Sequence, residues 1–180
     1  MRLGGKKVKL VLSILVLVLG ISVASAQPDS SGDPGCGLDK QKIEVTRTKK
    51  YPAMPADPAK AIIYVIQDDS HFGSRPRPTT RIGIDGAWEG ATQGGSFFRA
   101  ALDPGEHHIC ASWQGFVGIN VGARVGALHF TAAPGESYYF RVRDRFIRDH
   151  GPAHLELAAL DSDEGQLLAS KASLSSVSSK

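Results

Sequence analysis

The apolar positions of this chain follow the period of strands far more often than that of helices. Ala61-Ile62-Ile63-Tyr64-Val65-Ile66 is apolar at every position and reads as a central strand buried on both faces. Around His107–Trp113 the pattern alternates instead. Ile109, Ala111 and Trp113 fall on one face, and His108, Cys110 and Ser112 on the other. Further short runs at Ile43–Thr46, Arg81–Asp85, Ala87–Glu89, Ser96–Leu102, Arg124–Thr131, Ser137–Val142 and Ala153–Leu160 read as strands. Turn residues punctuate them. Asp85-Gly86 is a strong signal for a tight hairpin, and Gln93-Gly94-Gly95 marks another turn. Two Pro-Gly segments, Leu102-Asp103-Pro104-Gly105-Glu106-His107 and Ala132-Ala133-Pro134-Gly135-Glu136-Ser137, lie between strand-like runs and are expected to close two antiparallel hairpins. Together these signals predict an all-β fold, an antiparallel β-sandwich of roughly seven to eight short strands. Asp161-Ser162-Asp163-Glu164, followed by Leu167 and Leu168, predicts a short C-terminal helix, weakened by Gly165.

The two ends read differently. Arg2, Lys6, Lys7 and Lys9 precede the apolar run Leu10–Leu19, and Ala24-Ser25-Ala26 follows, the order of a signal peptide spanning residues 1–26. The run is short for a bilayer span, so cleavage after Ala26 is expected rather than a retained anchor, and no other segment is apolar enough to cross. Residues 27–59 form a Gly/Pro-rich lead-in with one possible strand. The sandwich domain is expected over 60–172, and residues 173–180 read as a disordered Ser-rich tail. The expected location is therefore the periplasm or the exterior.

Export changes the charge. The whole chain has 21 basic and 18 acidic residues, and the signal segment removes four basic ones, leaving 17 against 18. A nearly neutral mature chain argues against nucleic acid or an anionic membrane as partner. Its 154 residues (27–180) suit one domain, large enough to bury about 70% of its unfolded surface without a cofactor. The only two cysteines, Cys36 and Cys110, both lie in the exported part and are expected to pair. Closing that loop stabilises by roughly 4 kcal/mol in the chain-entropy view. The alternative is a buried thiol at Cys110 beside a free Cys36.

The strand Ala61–Ile66, then Ile84-Asp85-Gly86, then Leu102–His107, then Pro134-Gly135-Glu136-Ser137-Tyr138-Tyr139-Phe140-Arg141 resemble domain-of-unknown-function family 2846, exported bacterial proteins and lipoproteins. The resemblance covers about residues 60–160, and the chain departs from it in lacking the lipoprotein cysteine. It implies an envelope location and a sandwich-like fold, and it carries no catalytic residues.

The chemistry-bearing residues form no recognised motif. The six histidines are His71, His107, His108, His129, His150 and His154. His150 and His154 are separated by Gly151-Pro152, which breaks a helical pair. His107 and His108 point to opposite faces, so only one of them can join His129. Asp161–Gly165 misplaces the glycine of a calcium loop and has Ala172 where its final Glu belongs. Gly115, Gly118, Gly122 and Gly126 lack the order of a phosphate-binding loop. No Gly-x-Ser-x-Gly elbow occurs. The expectation is a non-enzymatic envelope module with no catalytic residue, cofactor or metal. Its candidate binding loop holds Arg75, Arg77 and Arg81, suited to an envelope protein or acidic surface, and the Gly115–Gly122 loop is a second candidate edge. Arg141, Arg143 and Arg145 alternate along one strand, with Asp144 between them. The alternative function is small-ligand or metal binding through His108 and His129.

Overall fold

The computed structural model describes residues 32–33, 36–38, 42–49, 53–54, 57–68, 78–114, 125–145 and 154–179. The expected signal peptide lies outside them, as do Arg75, Arg77, His71, His150 and the Gly115–Gly122 loop. The described strands are β1 (Gly32–Asp33), β2 (Gly37–Leu38), β3 (Ile43–Thr48), β4 (Ala61–Gln67), β5 (Thr79–Ile84), β6 (Ala87–Thr92), β7 (Ser96–Leu102), β8 (Gly105–Gln114), β9 (Val125–Ala132), β10 (Ser137–Arg145) and β11 (His154–Leu160), followed by helix α1 (Ser162–Lys171) and β12 (Ser173–Ser179). A six-stranded sheet runs β11-β10-β4-β7-β12-β3 and a four-stranded sheet runs β6-β5-β8-β9, while β1 and β2 form a small ribbon. Among the described residues no helix is long and apolar enough to cross a membrane.

The all-β expectation holds, and the core sits between the two sheets. Ile63, Val65, Phe98, Phe140, Val142 and Leu155 enter from the larger sheet and meet Ile82, Ile84, Ile109, Ala111 and Trp113 from the smaller. Alternation in β8 therefore has the sense read from the sequence. β4 is central, between β10 and β7. Ile63 and Val65 face the core, while Ile66 and Tyr64 pack on the other side with Phe97 and Tyr139 against Leu168 and Ala169 of α1. This is why β4 is apolar throughout. The helix starts where Asp161 caps it, its carboxylate accepting from the Glu164 amide at 2.9 Å.

The sandwich is not purely antiparallel: β4 runs parallel to β10, and β7 to β12. The Pro-Gly segments explain the first of these. Neither closes a hairpin. β7 belongs to the six-stranded sheet and β8 to the four-stranded one, and β9 and β10 divide the same way. Both Pro-Gly segments are corners that carry the chain across the sandwich. A two-residue hairpin needs positive φ at its first central position, which proline cannot adopt. The Glu136 amide bonds to the Ala133 carbonyl (3.3 Å), with Gly135 at φ +76°, the pattern of a type II turn that splays its strands. Asp85-Gly86, by contrast, has positive φ at both residues (51° and 85°) and closes the antiparallel β5–β6 hairpin.

The ends of the domain also differ from the sequence reading. Residues 173–179 are β12, paired antiparallel with β3 and briefly parallel with β7. Ser composition disfavours a packed segment, but here the partner strand and burial decide: Ser175 is buried, its hydroxyl sharing a 2.7 Å hydrogen bond with that of Ser96. The lead-in likewise supplies β3 to the same sheet, so the folded unit begins before residue 60. At its start the Gln114 side-chain amide imitates a strand, accepting from the Ile43 N–H (2.7 Å) and donating to the Ile43 carbonyl (2.9 Å). One side chain thereby joins an edge of the larger sheet to the end of β8.

Candidate functional site on the outer face of the four-stranded sheet

The outward side chains of β5, β6, β8 and β9 make a face with two unlike halves. One is covered. Cys36 is bonded to Cys110, as the two-cysteine count predicts, and both are buried. The strap that carries Cys36, described over residues 36–38, lies so close that a Cβ on Gly83 would stand 2.5 Å from the Cys36 carbonyl oxygen and 2.8 Å from the Cys110 Sγ. A Cβ on Gly37 would meet the Trp88 ring at 2.7 Å. Ile43, Trp88 and Ala91 pack with the disulfide into a second apolar cluster. Beside it the Arg81 guanidinium sits 4.3 Å from the Trp88 ring centroid.

Arg81 is thus part of this covered layer. It lies within β5 at 4% exposure, so it is unavailable as an open loop residue. The reason is register: Arg81 stands opposite Ser112 and Ala91, in the row that the strap covers. Its companions Arg75 and Arg77 fall outside the described residues. Arg141 and Arg143 on β10 are ion-paired, with Glu164 and Asp68 respectively, each at 2.8 Å.

The other half is open. Here β8 and β9 expose Glu106, His108, His129 and Thr131. His108 and His129 are direct cross-strand partners, their ring centroids 6.1 Å apart. The Asp85-Gly86 turn fixes this end of β8. The Asp85 N–H donates to the His108 carbonyl (2.9 Å), and its Oδ1 accepts from the His108 N–H (2.8 Å).

His107 faces away from this pair. Its Nδ1 is 2.6 Å from Asp85 Oδ2 and its Nε2 is 2.7 Å from the Asp103 carbonyl oxygen. The ring therefore ties the β5–β6 turn to the first Pro-Gly corner. Burial by itself pulls the His107 pKa down, but the Asp103 carbonyl and Asp85 carboxylate outweigh it and raise it above the ordinary 6.5. For Asp85, burial pushes upward, and the bonds from His107 and His108 prevail and hold it below 3.8. Asp85 and His107 resemble two members of a hydrolytic triad. Both ring nitrogens already face acceptors, so this arrangement leaves no lone pair to receive a substrate proton, and the pair acts as a clamp. Sequence reading missed the clamp because Asp85 and Asp103 are brought to His107 from two different turns. Its one local signal was Asp85 at the first position of the hairpin turn.

His154 on β11 is half-buried and belongs to the other sheet. Among the described residues, no group of three or more His, Cys, Asp or Glu side chains is placed to hold a metal ion. Comparison with protein-family models, with curated proteins and with solved structures gives no match.

Proposed function

We propose that this chain is an exported, non-enzymatic β-sandwich module of the cell envelope, with a protein-interaction or structural role. The kinship with domain-of-unknown-function family 2846 belongs to this proposal. The observation that carries it is the contrast on the four-stranded sheet. A disulfide-anchored strap covers one half, and a polar surface of Glu106, His108, His129 and Thr131 is left exposed beside β9, which among the described residues pairs only with β8. A strand at the end of its sheet, next to exposed polar side chains, is suited to a partner strand or loop. The disulfide fits an oxidising, exported compartment.

A photoreactive residue placed at Thr131, in the native envelope, tests this reading. One reproducible adduct from Thr131, absent when the same probe replaces Ser170 on α1, is the expected result. Equal capture from both positions, or none from Thr131, overturns this face as the contact surface. If the Arg75–Arg77 loop is the contact instead, reversing those two charges abolishes the adducts formed elsewhere.

A further inference from the structure

We propose that His108 and His129 form a two-histidine site for a divalent transition ion of the zinc, copper(II) and nickel(II) class. The two rings project from directly opposed positions of β8 and β9, on the face that the strap leaves open. Their centroids are 6.1 Å apart, with planes inclined at 45°. A metal–imidazole bond of about 2.0 Å places each ring centroid roughly 3 Å from the ion. Two rings on one ion therefore stand on the order of 5–6 Å apart, according to the angle at the metal. The observed separation needs only a small side-chain rotation, and both rings are exposed and free to make it.

The backbone is better fixed than the side chains. β9 pairs with β8 through this row, and the neighbouring Asp85 bonds both the N–H and the carbonyl of His108. Such a frame holds the two histidines' backbones in register, one directly across from the other, and leaves the rings to turn toward a shared ion. His107 cannot join, since both its nitrogens are engaged on the other side. The Asp85 carboxylate is likewise committed to His107 and the His108 amide. The remaining coordination positions fall to water, open to exchange with an outside donor. Neutral imidazole suits this class of ion, whereas calcium and magnesium prefer all-oxygen sites. This site stands independently of the interaction reading, and either can fail alone.

The test uses full-length, tag-free protein with its disulfide intact, stripped by chelator and titrated with zinc chloride or copper(II) chloride. One equivalent should bind saturably, and the copper(II) EPR spectrum should show coupling to two nitrogens. His108→Ala and His129→Ala should each weaken binding by at least about tenfold, the lower end of what loss of a mere supporting partner already costs. His154→Ala should leave it unchanged. A zinc-dependent rise in Tm, present in the parent and absent in His129→Gln, gives a second readout that does not depend on truncation. Absence of saturable binding, or equal binding in the double variant, overturns the proposal.

Discussion

Each sheet of the sandwich has part of its outer face covered, and the two covers are built by different means. The six-stranded sheet is covered by α1, a helix held by apolar contacts around Tyr139, Ile66 and Phe97 and started by the Asp161 cap. The four-stranded sheet is covered by an irregular strap held by the Cys36–Cys110 bond. Both covers depend on a glycine at closest approach. Gly165 lies on the Tyr139 ring, where a Cβ would come within 2.2 Å, and Gly83 lies under Cys36. A regular element can bury its own backbone groups and needs only a matching surface. A strap whose described ladder is only the two-residue β1–β2 ribbon gains from a covalent anchor. Beside the described strap residues, the His108–His129 surface is exposed.

The largest expected effect separates the covers. Cys36→Ser together with Cys110→Ser should cost about 2–5 kcal/mol in urea unfolding, the usual range for a native disulfide. Trp88 emission should shift to the red, because Gly37 of the strap lies against that ring, which is 7% exposed. Hydrogen exchange in α1 should stay unchanged under native conditions. Loosening of α1 as well would show that the two covers form one cooperative unit.

Next comes Gly165→Ala. Alanine gains about 1 kcal/mol of helix propensity over glycine, but forcing a Cβ into the Tyr139 ring costs about 1–3 kcal/mol. The net change should therefore be destabilising, as read by thermal unfolding. A gain in Tm would mean that the helix rides higher on the sheet than this contact implies. Asp161→Ala should cost about 1 kcal/mol through loss of the cap, and Asp161→Asn should restore most of it, a pairing that circular dichroism and Tm can follow.

The smallest effect lies at the border of the open surface. His107 is raised, so its contribution is complete below the unfolded value of 6.5 and is lost as pH climbs through its folded pKa. Asp85 is lowered, so its contribution is present above 3.8 and is lost as pH falls through its folded pKa. The clamp should be strongest between those limits. The stability difference between the parent and His107→Gln should be largest between pH 3.8 and 6.5 and shrink as pH climbs above 6.5 through the raised His107 pKa. A difference that does not vary with pH would reduce His107 to a packing residue.

Much of the local architecture was legible. The all-apolar run Ala61–Ile66 announced a doubly covered strand, and the alternation of Ile109, Ala111 and Trp113 picked out the core face of β8. Asp85-Gly86 announced a tight hairpin, and Asp161 the helix start. With two cysteines in the chain, only one internal disulfide was available. The candidate site was less legible. Arg81 looked like a loop cation, and only the strap across its row shows it stacked on Trp88.

The sequence by itself determined features whose causes act over a few residues: side-chain period, the φ limits of proline and glycine, a cap three residues from its amide. Only the tertiary structure decided which strands become neighbours. It turned two Pro-Gly segments into corners, recruited Ser173–Ser179 as a strand, set His129 opposite His108, and brought Asp85 and Asp103 together around His107. The physical reason is that pairing is chosen by burial and hydrogen-bond completion across the whole sandwich, where a segment's own composition is outweighed by the partner it meets.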